Sequence, residues 1–275
     1  MNDMNDRHRH RREPNGNLWL DWSRGRIFGL ALLLTAGNFF FQILFYVAGG
    51  GLYLPVLAGS VLGVFLPLYL LARNFGFEAR RDFSLNLPRP GVLVASALLA
   101  IAALVPTSML AELSLRLHPV DSQWLRLFEE NLPRSGGAIA LAVVAVVVVA
   151  PLAEETIFRG LLHRLAASLW GGLPAALVSA LVFAVVHGEP WFLFGLVGIG
   201  LVLAFVYEAT GSLTACWVTH AVHNGVSLGL MLTSDEIVPE PTPLTTGDWV
   251  WCAASVVALL VIGRYLKDYG WSRPT

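Results

Sequence analysis

The stretch "VVVVAPLAEETIFRG", residues 146–160, decides how the chain is read. An unbroken apolar run suited to the middle of a membrane span suddenly delivers two adjacent carboxylates, Glu154 and Glu155, with Arg159 shortly after. An ionisable group near a bilayer centre costs about 3 kcal/mol on insertion scales, so such residues face a bundle interior or a water-filled cavity. The two acids therefore require polar company from elsewhere in the chain.

The surroundings are apolar throughout. Of 275 residues, 56% are hydrophobic and only 13% charged, where soluble domains carry about a quarter charged residues. Mean hydropathy is +0.64. This predicts an all-α, polytopic transmembrane bundle. The net charge of −1 gives no reason to expect a nucleic-acid partner. Cys216 and Cys252 both fall in apolar segments, match no metal or disulfide spacing, and read as small buried hydrophobes.

With a span length of about 20 residues, eight apolar segments follow: 27–47, 52–71, 92–111, 138 to beyond 158, 173–187, 191–207, 213–232 and 249–266. Basic residues gather in "RHRHRRE", in "RNFGFEARRDFSLNLPRP", around His163 and Arg164, and in "RYLKDYGWSR". The connections "AGGG", "HGEP" and "SDEIVPEPTPLTTGD" contain no Lys or Arg. The positive-inside rule then predicts both termini in the cytoplasm and an even number of spans. Residues 1–17 read as a disordered basic tail, with His8 and His10 near anionic lipid, and 18–275 as one transmembrane domain. The long basic region and full-length first span do not fit a cleavable signal peptide. In the connection 112–134, "SQWLRLFEENL" suits an interfacial amphipathic helix, an outer lid or rim with Trp124, Leu125, Leu127 and Phe128 toward lipid.

Mid-span polar residues are few: Asn38 and Gln42 in the first segment, His187 ending the fifth, and His220, His223 and Asn224 in the seventh. Helical spacing separates the two acids. Glu155 and Arg159 are four apart with the acid first, the favourable order for a pair on one face. Glu154, about 100° around the helix, does not share that partner and is left free for chemistry. "WGGLP" at 170–174 marks a turn between the fourth and fifth segments. Counted from it, Glu154 and His187 stand at heights differing by about 3 Å, so their side chains can meet. His220, counted from the turn at Gly211 and Ser212, lies about 10 Å nearer the inner face, and only tilt or a recessed turn would close that gap.

In order along the chain, "EETIFR" (Glu154, Glu155, Arg159), "FAVVH" (Phe183, His187) and "HAVHN" (His220, Asn224) resemble the E-E-x-x-x-R, F-x-x-x-H and H-x-x-x-N motifs of the CAAX protease and bacteriocin-processing family, abbreviated CPBP or Abi, which includes the type II CAAX prenyl endopeptidases. The resemblance covers residues 150–226. It implies an intramembrane endopeptidase in which Glu154 and His187 activate water while His220 and Asn224 stabilise the oxyanion, with Glu155, Arg159 and Phe183 in support. Such roles match what attack on a peptide carbonyl requires: a base and donors aimed at the developing charge. Members are also called metalloproteases, and Glu154, His187 and His220 would then hold Zn2+ or another divalent metal, although no H-E-x-x-H helix is present. A metal-free mechanism is the other option.

The implied substrate is a membrane-embedded or lipid-anchored protein or peptide, processed at a prenylated C-terminus or a leader, in what composition hints is a bacterial plasma membrane. Two other readings accommodate buried acids and histidines: a non-catalytic interaction or bacteriocin-immunity protein of the same fold, and a small proton-coupled transporter. Outside the motifs, His223 reads as a supporting or packing residue, Asn38 and Gln42 as an interhelical hydrogen-bonding pair, and His118 and His163 as interfacial.

Overall fold

The computed structural model describes residues 17–234 and 243–270, and these form helices and connections with no strand. The basic tail expected over 1–17 falls outside them apart from Asn17, as do residues 235–242. The helices are α1 (Arg24–Val47), α2 (Tyr53–Phe75), α3 (Pro90–Leu117), α4 (Ser122–Glu130), α5 (Gly136–Trp170), α6 (Gly172–Val186), α7 (Pro190–Thr210), α8 (Leu213–Thr233) and α9 (Thr246–Tyr269), with single turns at Leu18–Asp21 and Ala79–Asp82. Side-chain caps account for several of the starts. Ser23, Asp121, Ser135 and Ser212 each accept from a backbone N–H of the first turn, and Thr245 with Asp248 forms a reciprocal capping box.

Six of these helices, α1, α2, α3, α5, α7 and α9, are long and apolar enough to cross a membrane. Two of the eight predicted segments fall short of that length and composition. The fifth segment is the 15-residue α6, about 22 Å long and short of a hydrocarbon core of about 30 Å. The seventh, α8, has 21 residues, but Thr219, His220, His223 and Asn224 lower its hydropathy. These are the elements that carry the polar residues of interest.

Helix α3 is central and packs on α7, α8 and α9, through small buried residues that include Ala95, Ser96, Ala100 and Ala103. On the other side, α1 and α2 cross so closely that a Cβ on Gly63 would lie 2.4 Å from the backbone of Gly37. Glycine there replaces side-chain volume with backbone contact, a common device of membrane helix pairs.

One end of the bundle gathers the turns at 171 and 211 with the connection 76–89. Asp82, fully buried, anchors it: its carboxylate accepts from the backbone N–H of Leu18 at 3.0 Å and pairs with Arg81 at 2.8 Å, and its carbonyl accepts from Arg164 at 2.7 Å. The same connection covers the start of α8. Leu213 N–H donates to Ser84 O at 2.9 Å and Ser212 Oγ donates to Asn86 O at 3.0 Å, with Ser212 and Leu213 both fully buried. The turn before α8 is thus recessed beneath a cap of protein, which lifts His220 toward the acids.

Three further expectations change. His163 is not interfacial but buried, with Nε2 2.7 Å from Glu208 Oε1 and Nδ1 3.3 Å from Ser179 Oγ. On α4, Trp124 and Phe128 stack on each other and Trp124 packs on Trp191 and Phe192, so this face turns to protein rather than lipid. His118 is exposed at the end of α3. Cys216 is buried, whereas Cys252 is half-buried.

Candidate active site

The site begins with the acid that cannot reach water. Glu155 and Arg159 are both completely buried, and Arg159 Nη1 donates to Glu155 Oε1 at 3.0 Å. Arg159 Nη2 donates to the carbonyl of Gly200 at 2.9 Å, and its guanidinium lies 4.9 Å from the Phe183 ring centre. Gly200 also lets α7 pack closely on α6, since a Cβ there would meet Ala180 at 3.0 Å. The predicted ion pair is therefore present and tied to α7 as well.

Glu155 has a second partner. His220 Nδ1 lies 2.8 Å from the same Oε1, so the imidazole is oriented by a buried carboxylate and turns Nε2 the other way. That nitrogen lies 3.7 Å from Glu154 Oε2. With Nδ1–H given to Glu155, Nε2 accepts in the neutral ring and donates in the doubly protonated one. Glu154 itself keeps 24% side-chain exposure and lines a cavity of about 520 Å³ with His187, His220, His223 and Asn224. The contrast between the two acids is as the helical spacing predicts. The meeting partner differs: it is His220, through the recessed turn, that lies beside Glu154.

His187 ends α6. Its Nδ1 lies 2.6 Å from the Phe183 carbonyl, where donation fixes the tautomer and leaves Nε2 as an acceptor. The Phe183 ring packs between the two histidines, its centre 4.6 Å from His187 and 5.7 Å from His220. Phe183 thus spaces the imidazoles.

Asn224 is placed by a peculiarity of α5. Val143–Val149 is a π-helical stretch, in which each N–H reaches the carbonyl five residues back. Pro151 occupies the position whose N–H would serve Val146, and proline has none. Asn224 Nδ2 donates to that carbonyl at 2.9 Å, leaving the second amide N–H for the cavity. Trp217 Nε1 similarly donates to Val148 O at 2.9 Å. A second π-helical stretch, Thr156–His163, follows the acids.

The predicted zinc ligands do not assemble as a set. Glu154 and His220 approach each other, but among the described residues no three His, Cys, Asp or Glu side chains form a group able to hold a metal ion. Asn38 and Gln42 also depart from expectation. Both line the cavity, and Asn38 Oδ1 is buried with no hydrogen-bond partner among the described residues. His223 also lines the cavity, with its Nε2 3.4 Å from Thr107 Oγ1.

The site elements run from the first residue of α5 into α8, and residues 136–226 match the family model described as Type II CAAX prenyl endopeptidase Rce1-like. The chain carries an Rce1-like type II CAAX prenyl endopeptidase domain. That family is one of hydrolases, and its protease chemistry implies a protein substrate. No curated protein and no solved structure matches the chain.

Within the Rce1-like domain, sequence reasoning missed three participants. The carbonyls of Gly200 and Val146 carry no side-chain signal, although Pro151 five residues after Val146 announces an unserved acceptor. Glu189 lies on the cavity between α6 and α7, and burial pushes its carboxyl above the usual range, while His187 nearby and a hydrogen bond from Trp124 pull the other way. Its place in "HGEP" gave it the look of a loop residue.

Proposed function

We propose that the chain is an intramembrane endopeptidase cleaving a membrane-embedded or lipid-anchored protein or peptide, at a CAAX-type C-terminus or a leader. Glu154 is the base that takes the proton from water, and His187 Nε2 assists as the second acceptor. The remaining N–H of Asn224 and protonated Nε2 of His220 face the carbonyl oxygen as it becomes an oxyanion, a role worth about 10²-fold to 10³-fold per donor. Glu155 and Arg159 position His220. The single observation that carries this reading is the division of one Glu-Glu dipeptide into a sealed acid that orients the imidazole and a cavity-facing acid beside its free nitrogen.

Mechanistically, a peptide bond at this depth needs water delivered to an apolar interior, and a mostly apolar cavity that presents Glu154, His187, His220 and Asn224 provides that setting. A zinc or other divalent ion would require His187 to join Glu154 and His220 in one coordination shell. No step above depends on it.

Comparison of newly generated peptide ends in membranes carrying the wild-type protein or Glu154→Gln tests the reading. Cleavage products present only with the wild type are expected; identical product sets would contradict it and favour a binding role. The proposed orientation has its own check. A cysteine at Ser135 should react with an impermeant thiol reagent outside intact cells and one at Arg80 should not.

A further inference from the structure

On the face of the bundle away from the catalytic cavity, α3, α7 and α9 enclose a groove of about 420 Å³. Its walls are Leu99, Leu201, Val202, Phe205, Leu259 and Leu260, and its end is closed by Arg264 and Lys267. We propose that this groove binds an anionic membrane phospholipid, with one acyl chain along the leucines and the phosphate between the two cations.

Depth supports the assignment. Helix α9 exposes Trp249 and Trp251 at its start and Tyr265 and Tyr269 at its end, and these aromatic residues mark the two membrane–water interfaces. About 21 Å of helix separates the inner pair and about 30 Å the outer pair, and the outer spacing matches the thickness of a hydrocarbon core. Arg264 and Lys267 lie among the terminal tyrosines, at headgroup level. From Lys267 the groove descends about 12 Å to Leu259, into the region of lipid tails. The gradient from charge to hydrocarbon follows the axis of a lipid.

The cations are held at the mouth. Lys267 Nζ lies 5.4 Å from the Phe205 ring centre. Arg264 Nε donates to Asp268 Oδ2 at 2.9 Å, and its terminal amino groups have no partner among the described residues. Gly263 keeps the floor open, since a Cβ there would press to 3.1 Å on the Phe205 ring. Arg264, Lys267 and Asp268 together leave one net positive charge, complementary to a phosphodiester. A cationic end on an apolar groove in a bilayer-facing wall selects a phospholipid rather than a soluble anion, because only a phospholipid fills both parts.

The test uses the full chain in detergent with an equimolar mixture of phosphatidylglycerol and phosphatidylcholine, retained lipids being counted by native mass spectrometry. Wild type should retain the anionic lipid over the zwitterionic one by about fivefold, the factor for one net charge near a membrane surface. Arg264→Gln with Lys267→Gln should bring the ratio to parity or below, and Asp268→Asn, which removes the opposing carboxylate, should raise it by a similar factor. Leu260→Ser should lower retention of both lipids together. A ratio unchanged in the double variant and in Asp268→Asn would overturn the proposal. So would displacement of phosphatidylglycerol by millimolar inorganic phosphate, which would mark a headgroup-only ion site.

Discussion

Helix α5 meets a histidine–glutamate contact at two levels, and they are built differently. At Glu155 the carboxylate, Arg159 and His220 are all buried, the two acid-bearing contacts measuring 3.0 and 2.8 Å. Two turns further along, His163 is buried but its partner Glu208 keeps 45% side-chain exposure. A sealed charge must be matched by charges and donors that cannot leave, whereas a half-exposed carboxylate can fall back on solvent. The first contact is therefore rigid enough to aim an imidazole. The second only ties α5 to α7.

The largest effects should come from breaking the sealed contact. Arg159→Met leaves Glu155 buried beside one imidazole, and a loss of about 3–5 kcal/mol is expected, read as a fall in unfolding midpoint of the purified protein. An Arg159→Met/Glu155→Gln pair should recover part of that loss. No recovery would show that Arg159 acts mainly through Gly200.

Asn224→Ala comes next. It leaves the Val146 carbonyl unserved, costing about 1–3 kcal/mol, and removes an oxyanion donor. In a Pro151→Ala background the backbone regains an N–H for that carbonyl, so the stability cost of Asn224→Ala should shrink while the activity loss stays. A double-mutant cycle separates the two. Equal stability costs in both backgrounds would rule out the proline explanation.

Smaller still, Glu208→Gln should cost at most about 1 kcal/mol, a midpoint shift far below that of Arg159→Met. A comparable shift would erase the contrast between the two levels. The smallest effect concerns Glu189. Its folded carboxyl is held above the usual range by burial, so its favourable contribution is complete below the unfolded value and is lost as pH rises through the folded one. Glu189→Gln should flatten the decline in midpoint across that window. An unchanged slope would assign the decline elsewhere.

Much of the site was legible because its logic is local. The four-residue spacing of Glu155 and Arg159 gave the pair, and the 100° offset gave Glu154 its freedom. Apolar periodicity and length identified the helices, but not that α6 would be as short as 15 residues. The depth estimate for His220 failed for a non-local reason: residues 84–86 cover Ser212 and Leu213, and nothing near those residues signals a covered turn. Asn38 and Gln42 were read as partners of another helix because a polar residue in a span needs a partner, whereas they line a cavity formed by elements distant in sequence. His163 looked interfacial because Arg164 follows it. Its burial depends on Glu208 and Ser179 arriving from two other helices.

The most direct test of the central claim measures unfolding midpoint and substrate cleavage for Glu154→Gln and Glu155→Gln side by side. Glu154→Gln should keep a midpoint near wild type and lose cleavage, because the acid it changes faces the cavity. Glu155→Gln should lower the midpoint substantially, because it strands Arg159 and releases His220. Equal midpoints for the two variants, or cleavage retained by Glu154→Gln, would contradict the division of labour between the adjacent acids.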